Sequence, residues 1–171
     1  PIFCDIDPDT LLLDVKKAAS LITPRTRAII AVHLGGNPTD MDAVCELASE
    51  HDLKVIEDCA HAQGSRYRGT RVGNLGDAGT FSFQASKTLT AGEGGAIVCN
   101  DDDLAEKIRL MQNFGFAGMD NVIYIGTNGK MSEINAAMGL VNLKGLDLFL
   151  DSNRCNYLAY KAGLAGIKGL K

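Results

Sequence analysis

The sequence predicts an α/β fold, a mostly parallel sheet with helices on both faces. Three observations carry that expectation. Strand-like apolar runs alternate with segments of helical spacing through the first sixty residues. The run AIIAVH at 28–33 is continuously apolar up to its histidine, as in a strand covered on both faces. Returning strand after helix after strand in one direction calls for right-handed crossovers, and so for parallel neighbours.

The elements follow in chain order. IFCDI at 2–6 predicts a short strand, stopped by Asp7-Pro8. A helix is expected from Pro8 through about Leu21, with Leu12, Val15, Ala18 and Ala19 at helical spacing. ITPRT at 22–26 is a turn, and 28–33 is the second strand. LGGNPTD breaks the chain before a helix over 41–51, for which Asp40 is the cap. LKVIE at 53–57 is the next strand and ends at Asp58. From Cys59 to Asp77 the chain is polar and glycine-rich, and SRYRGTRVG suits a small hairpin or a surface excursion. AGTFSF at 78–83 is a strand with Phe81 and Phe83 on one face and Thr80, Ser82 and Gln84 on the other. GEGG then permits a close return into a strand at 96–99. Helices are expected over 101–114, 131–150 and 152–164, with a loop over 115–130.

Composition narrows the function classes. At 171 residues, net charge −4 and 46% apolar content, the chain suits one soluble domain with a core. No dense Lys/Arg cluster is present, which argues against nucleic acid as a partner. The longest apolar runs are too short to span a bilayer, and no charged-then-apolar leader points to export. Five scattered cysteines without metal-type spacing read as reduced thiols of a cytoplasmic protein, and no metal site is expected. The chain opens at Pro1 inside a strand-like run with no initiator Met, so a piece of something longer is expected.

The chemistry concentrates in FSFQASKTLTAGEGG at 81–95, where Lys87 is the only lysine among small, polar and glycine residues. It reads either as a surface lysine in a glycine loop or as a partly buried amine used as a nucleophile toward a carbonyl. In open α/β sheets, ligands bind beyond the carboxyl ends of the strands. His33, Asp58 with His61, and Ser82 with Lys87 all fall at such ends and would converge on one rim. GNLGDAG has the glycines of a dinucleotide loop but precedes a strand, whereas that loop follows one and opens a helix.

VIEDCAHAQGSRYRG, the run GD-x-G-x-FSF-x-x-x-K-x-L-x-x-GEGG, and NGKMSEINAAMGL together resemble the DegT/DnrJ/EryC1/StrS family of sugar aminotransferases. The similarity extends from Pro1 to about the last residue, with the motifs in the family's order and spacing. It implies a large domain of fold type I with pyridoxal 5′-phosphate (PLP) as cofactor, here incomplete. Residues 1–150 would be part of that domain, without its N-terminal phosphate-binding segment. Residues 151–171 would be a helix leading toward a small C-terminal domain.

Carried over by position, Lys87 resembles the lysine that holds PLP covalently and then shuttles protons. Asp58 resembles the carboxylate that pairs with the pyridinium nitrogen. His61 stands near the place of the cofactor's phenolic oxygen, and Ser82 resembles the hydroxyl that bonds its phosphate. Asn128 resembles an asparagine that reaches a homodimer partner's phosphate, although Asn-Gly is also an ordinary turn. Lys130 stands where many relatives have arginine. Gln63 and His33 are expected to be mainly structural.

The resemblance implies transfer of an amino group from an amino acid, glutamate, to a nucleotide-linked keto-sugar. The alternatives are a cyclitol aminotransferase or sugar dehydratase of the same fold, or a non-catalytic binding module. The dehydrating branch has histidine where Lys87 stands, which favours transamination.

Overall fold

The computed structural model describes residues 1–170. The elements run β1 (Ala28–Val32), β2 (Lys54–Asp58), β3 (Arg66–Tyr67), β4 (Thr70–Arg71), β5 (Ala78–Ser82) and β6 (Gly95–Val98). The helices are α1 (Val15–Ser20), α2 (Met41–Glu50), α3 (Asp102–Gln112), α4 (Glu133–Lys144) and α5 (Leu146–Leu164). The main sheet has the order β1-β2-β5-β6. β1, β2 and β5 are parallel, and β6 closes the sheet antiparallel to β5. The expected α/β class with a mostly parallel sheet is therefore present.

Strand alternation assigns the two faces. Ile29, Ala31, Val55 and Glu57 share one face through the register Ile29↔Val55 and Ala31↔Glu57. α2 packs there because Met41, Val44, Leu47 and Ala48 recur at helical spacing and are buried. Met41, Val44 and Ala48 meet Ala31 and Val55 in one cluster, each larger side chain contributing about 2 kcal/mol by leaving water. Asp40 caps the helix by accepting from the Ala43 N–H and also accepts the Tyr67 hydroxyl at 2.7 Å. The β3–β4 hairpin is thus tied to the start of α2. Its two-residue turn puts Arg68 and Gly69 at positive φ, the primed geometry that matches strand twist.

The opposite face does not carry the expected cover. Ile30, Val32 and Ile97 lie on it and are 59%, 43% and 54% exposed. Two further expectations fail near the N-terminus. Residues 2–6 form no strand, only a single bridge between Ile6 and Leu13, because the sheet offers them no ladder partner. The helix expected from Pro8 shrinks to Val15–Ser20. Asp7 Oδ1 accepts from the N–H groups of Asp9 and Thr10 and from the Thr10 hydroxyl, so a local turn captures the amides that helix would have used. Helix then starts at Asp14, whose side chain accepts from Lys16 N and Lys17 N. Near the C-terminus the break falls at Gly145, not at 150–152, and Gly145 both ends α4 and opens α5.

Glu57 is the centre of the buried side. It is fully buried, and each carboxylate oxygen accepts two hydrogen bonds. Oε1 accepts from Leu75 N and Gly76 N at 2.7 and 2.8 Å. Oε2 accepts from Gly73 N at 2.8 Å and pairs with His33 Nε2 at 3.0 Å. The Thr39 N–H donates to His33 Nδ1 at 3.1 Å, which puts the imidazole proton on Nε2, facing Glu57. The glycines of GNLGDAG serve this loop. A Cβ at Gly79 would overlap the Gly73 backbone, and one at Gly76 would stand 2.7 Å from Val55 O.

Burial pushes the Glu57 carboxyl up, but bonds from His33, Gly73, Gly76 and Leu75 outweigh it and hold the group below the ordinary glutamate range. A carboxyl depressed on folding stabilises the protein above its unfolded pKa and loses that contribution as pH falls through its folded pKa. Glu57→Gln should cost about 3 kcal/mol in urea unfolding at pH 7, since an amide presents N–H groups to donors. It should also remove part of the acid-side loss of stability in the wild type. Equal stabilities at pH 7 would contradict this account.

Candidate active site

The sheet's other face gathers the polar groups at its carboxyl rim. Asp58 is the last residue of β2 and pairs in register with Thr80 of β5. Thr80 and Ser82 are two residues apart, so Asp58, Thr80 and Ser82 project from the same face. Phe81 turns the other way, onto the cluster of Cys59, Ala62 and Val72. The sheet hydrogen bonds continue past the strand ends, His33 N to Asp58 O at 3.0 Å and Cys59 N to Thr80 O at 2.8 Å. The backbone carrying Asp58 is held from both sides.

Asp58 Oδ1 accepts from Ala60 N at 3.0 Å, and among the described residues no protein donor meets its second oxygen. Lys87 is partly buried in the turn after β5, where its N–H donates to Gln84 O at 2.9 Å. Its ammonium makes no ion pair or hydrogen bond among the described residues, although six ion pairs occur elsewhere. Ser82 Oγ accepts only a long bond from Gln84 N at 3.4 Å, which leaves its proton to give. His61 is exposed on the turn after Asp58. A carboxylate and a hydroxyl with capacity left over thus share one face, and an amine and an imidazole lie on the turns that leave the same strand ends.

Other candidate residues go elsewhere. His33 does not join the rim; it is fully buried on the Glu57 side. Gln63 is structural too, donating from Nε2 to Ser82 O at 2.6 Å and Ala60 O at 3.2 Å, while its Oε1 has no partner among the described residues. Asn128 is exposed on the loop after α3, bridged to Asn113, and among the described residues its side chain bonds to nothing at the rim. Lys130 donates to Asn113 Oδ1 at 3.0 Å and lies over the Phe114 ring at 4.6 Å. Sequence reasoning passed over Glu57, whose one signal was a carboxylate alternating in phase with the inward Val55.

His33, Glu57 and Cys59 offer ligand atoms within 4.8 Å of one another. Both Glu57 oxygens and both imidazole nitrogens are already engaged, and burial, with the charges of Glu57 and Asp58, pushes the Cys59 thiol up to about 12. The cluster is a structural knot, not a cation cage.

The donor set at the rim suits an aromatic aldehyde bearing a phosphate. The carboxylate would take a protonated ring nitrogen, the amine the aldehyde, and the hydroxyl a phosphate oxygen. A parallel α/β sheet with these groups at its carboxyl ends is the setting in which open α/β proteins bind ligands. The chain belongs to the DegT/DnrJ/EryC1/StrS aminotransferase family, whose model matches residues 1–171. Members of this family are sugar aminotransferases and are PLP-dependent in general.

The chain is 50% identical over 152 residues to GDP-perosamine synthase of Caulobacter vibrioides, covering 86% of this chain and 40% of that protein. It is 44% identical over 159 residues to L-glutamine:2-deoxy-scyllo-inosose aminotransferase of Streptomyces lividus, covering 86% of this chain and 38% of the relative. The crystal structure of DesI with its TDP-sugar product matches with a TM-score of 0.91 at 47% identity, over 100% of this chain and 44% of that one. The chain thus spans less than half the length of each of these proteins. Among the described residues no helix is long and apolar enough to cross a membrane.

The thiols give a direct check on the burial of the site's underside. At pH 8, iodoacetamide should modify the exposed Cys155 and leave Cys59 unmodified in the native protein. Peptide mass mapping reads both, and comparable labelling of Cys59 would mean that the layer beneath Asp58 is open.

Proposed function

We propose that this chain carries the cofactor-holding rim of a PLP-dependent aminotransferase that moves an amino group from an amino acid, glutamate by resemblance, to a nucleotide-linked keto-sugar. The observation that supports it most is the unclaimed Lys87 amine following a strand that presents Ser82 on the same face as Asp58. When bound, PLP supplies an electron sink for the exchange of the amino group. Lys87 Nζ would hold the cofactor's aldehyde group and would serve as the proton carrier beside the reacting carbon. Asp58 would pair with the protonated ring nitrogen, Ser82 Oγ would donate to the phosphate, and His61 would stand by the phenolic oxygen. Asn128, exposed on its loop, would reach the phosphate of a homodimer partner.

In the whole enzyme, residues 1–150 form part of the cofactor domain and residues 151–171 lead toward a second, smaller one. The cytoplasm is the compartment that suits its free thiols. A second reading, a cyclitol ketone in place of the sugar, is favoured by the similarity to the inosose aminotransferase. Supplying both substrate classes side by side separates the two.

In the intact enzyme, Lys87→Ala should abolish the absorbance of the lysine-bound cofactor and lower turnover by about 10²–10⁴-fold. A variant that keeps both would overturn the assignment. Titrated alone, the 171-residue chain should bind PLP weakly, because it supplies only part of the phosphate's contacts. Tight stoichiometric binding followed by absorbance would contradict that.

A further inference from the structure

The lysine turn is a closed loop, and its closure is held from outside. Ala91 N donates to Phe83 O, and Phe83 N donates to Gly94 O, both at 2.8 Å, so residues 84–90 bulge from a two-bond base with Lys87 near the apex. The outgoing limb of that base lies against α4. Asn142 Nδ2 donates to Thr90 O at 2.8 Å, and Asn135 Nδ2 donates to Glu93 O at 2.7 Å. These asparagines are seven residues apart and share one helix face. Gly139 sits between them, where a Cβ would stand 3.3 Å from the Ala91 Cβ. The Ser132 hydroxyl bonds Asn135 Oδ1 at 2.8 Å, which turns the amide N–H₂ toward Glu93. Met131 covers Gly94 at the end of the limb.

We propose that α4 is a positioning clamp for the covalent lysine, with Asn135 and Asn142 gripping the carbonyls of the lysine loop and Gly139 setting how closely helix and loop approach. The two amides fix the outgoing limb, the limb fixes Phe83 through Ala91 and Gly94, and the base so formed sets where Lys87 stands relative to Ser82 and Asp58. This inference rests on the reading of Lys87 as the residue that takes the cofactor aldehyde. None of the three α4 residues touches the reacting atoms; their contribution is geometric.

The test measures reductive labelling of the 171-residue chain by PLP and cyanoborohydride, with the adduct at Lys87 quantified against that at the exposed Lys54. In this trap the amine adds to the aldehyde with loss of water, and hydride with a proton makes the bond a secondary amine. Asn135→Asp and Asn142→Asp keep the side-chain shape but remove the donors. Gly139→Ala favours the helix while pushing Ala91 by a few tenths of an ångström.

In all three variants the maximal labelling rate at Lys87 should fall at least fivefold, with the half-saturating PLP concentration within twofold of wild type. Hydrogen exchange at the Phe83 and Ala91 amides should quicken at least tenfold in the aspartate variants. For Gly139→Ala the melting temperature should hold or rise while labelling slows, a split that lost stability does not produce. Unchanged maximal rates, or a change confined to the half-saturating concentration, overturn the clamp. Should an aspartate variant fail to fold, Gly139→Ala decides. If wild-type Lys87 is labelled no faster than Lys54, the reading of Lys87 has failed; the clamp then stands or falls on the exchange rates of Phe83 and Ala91 alone.

Discussion

Glu57 is a charge with no access to water, and the layer beneath the rim is arranged to satisfy it. A buried carboxylate is tolerable only if its lone pairs are met by well-placed donors. Here three come from the loop at residues 73–76 and one from His33. Those bonds tie β2 to the loop that leads into β5 and to the segment that leaves β1. The three parallel strands are thereby held in register at the ends where the polar rim stands. A run of loop amides converging on an anion is the geometry proteins use for phosphates. In this chain the anion is the protein's own side chain.

Strand alternation converts that lock into a functional division. Glu57 and Asp58 are neighbours in sequence, yet their side chains leave opposite faces of the sheet. One carboxylate is saturated with hydrogen bonds on the side packed by α2. The other keeps an oxygen open on the side where Ser82 projects. The same division separates His33 from His61, the first closed within the core and the second exposed on the turn past β2. Rigid backing and open chemistry are thus adjacent without competing for the same donors.

The helices after the sheet complete the arrangement from the lysine side. α4 has no buried residue and keeps much apolar surface exposed, including Ile134, Leu140 and Val141. Its polar side chains are nevertheless spent on carbonyls of the lysine loop. The sheet face of Ile30, Val32 and Ile97 is also bare, and the chain spans less than half the length of the relatives it matches. The packed side of the sheet is the one that backs the polar rim.

The sequence by itself determined the α/β class, the strands that carry the rim, the cap at Asp40 and the family, and left the hairpin open against a surface excursion. These depend on local signals, namely periodicity, turn chemistry and motif spacing, that are written within a few residues. It did not determine that residues 2–6 would lack a partner strand or that Asp7 would take the amides of an expected helix. Tertiary structure alone decided that Glu57 is the anchor, that His33 belongs to it, and that α4 reaches back some fifty residues to hold the lysine loop, Asn142 to Thr90. The physical reason is that a hydrogen bond between distant segments leaves no period or spacing in the chain. It exists only after the strands have brought its two halves together.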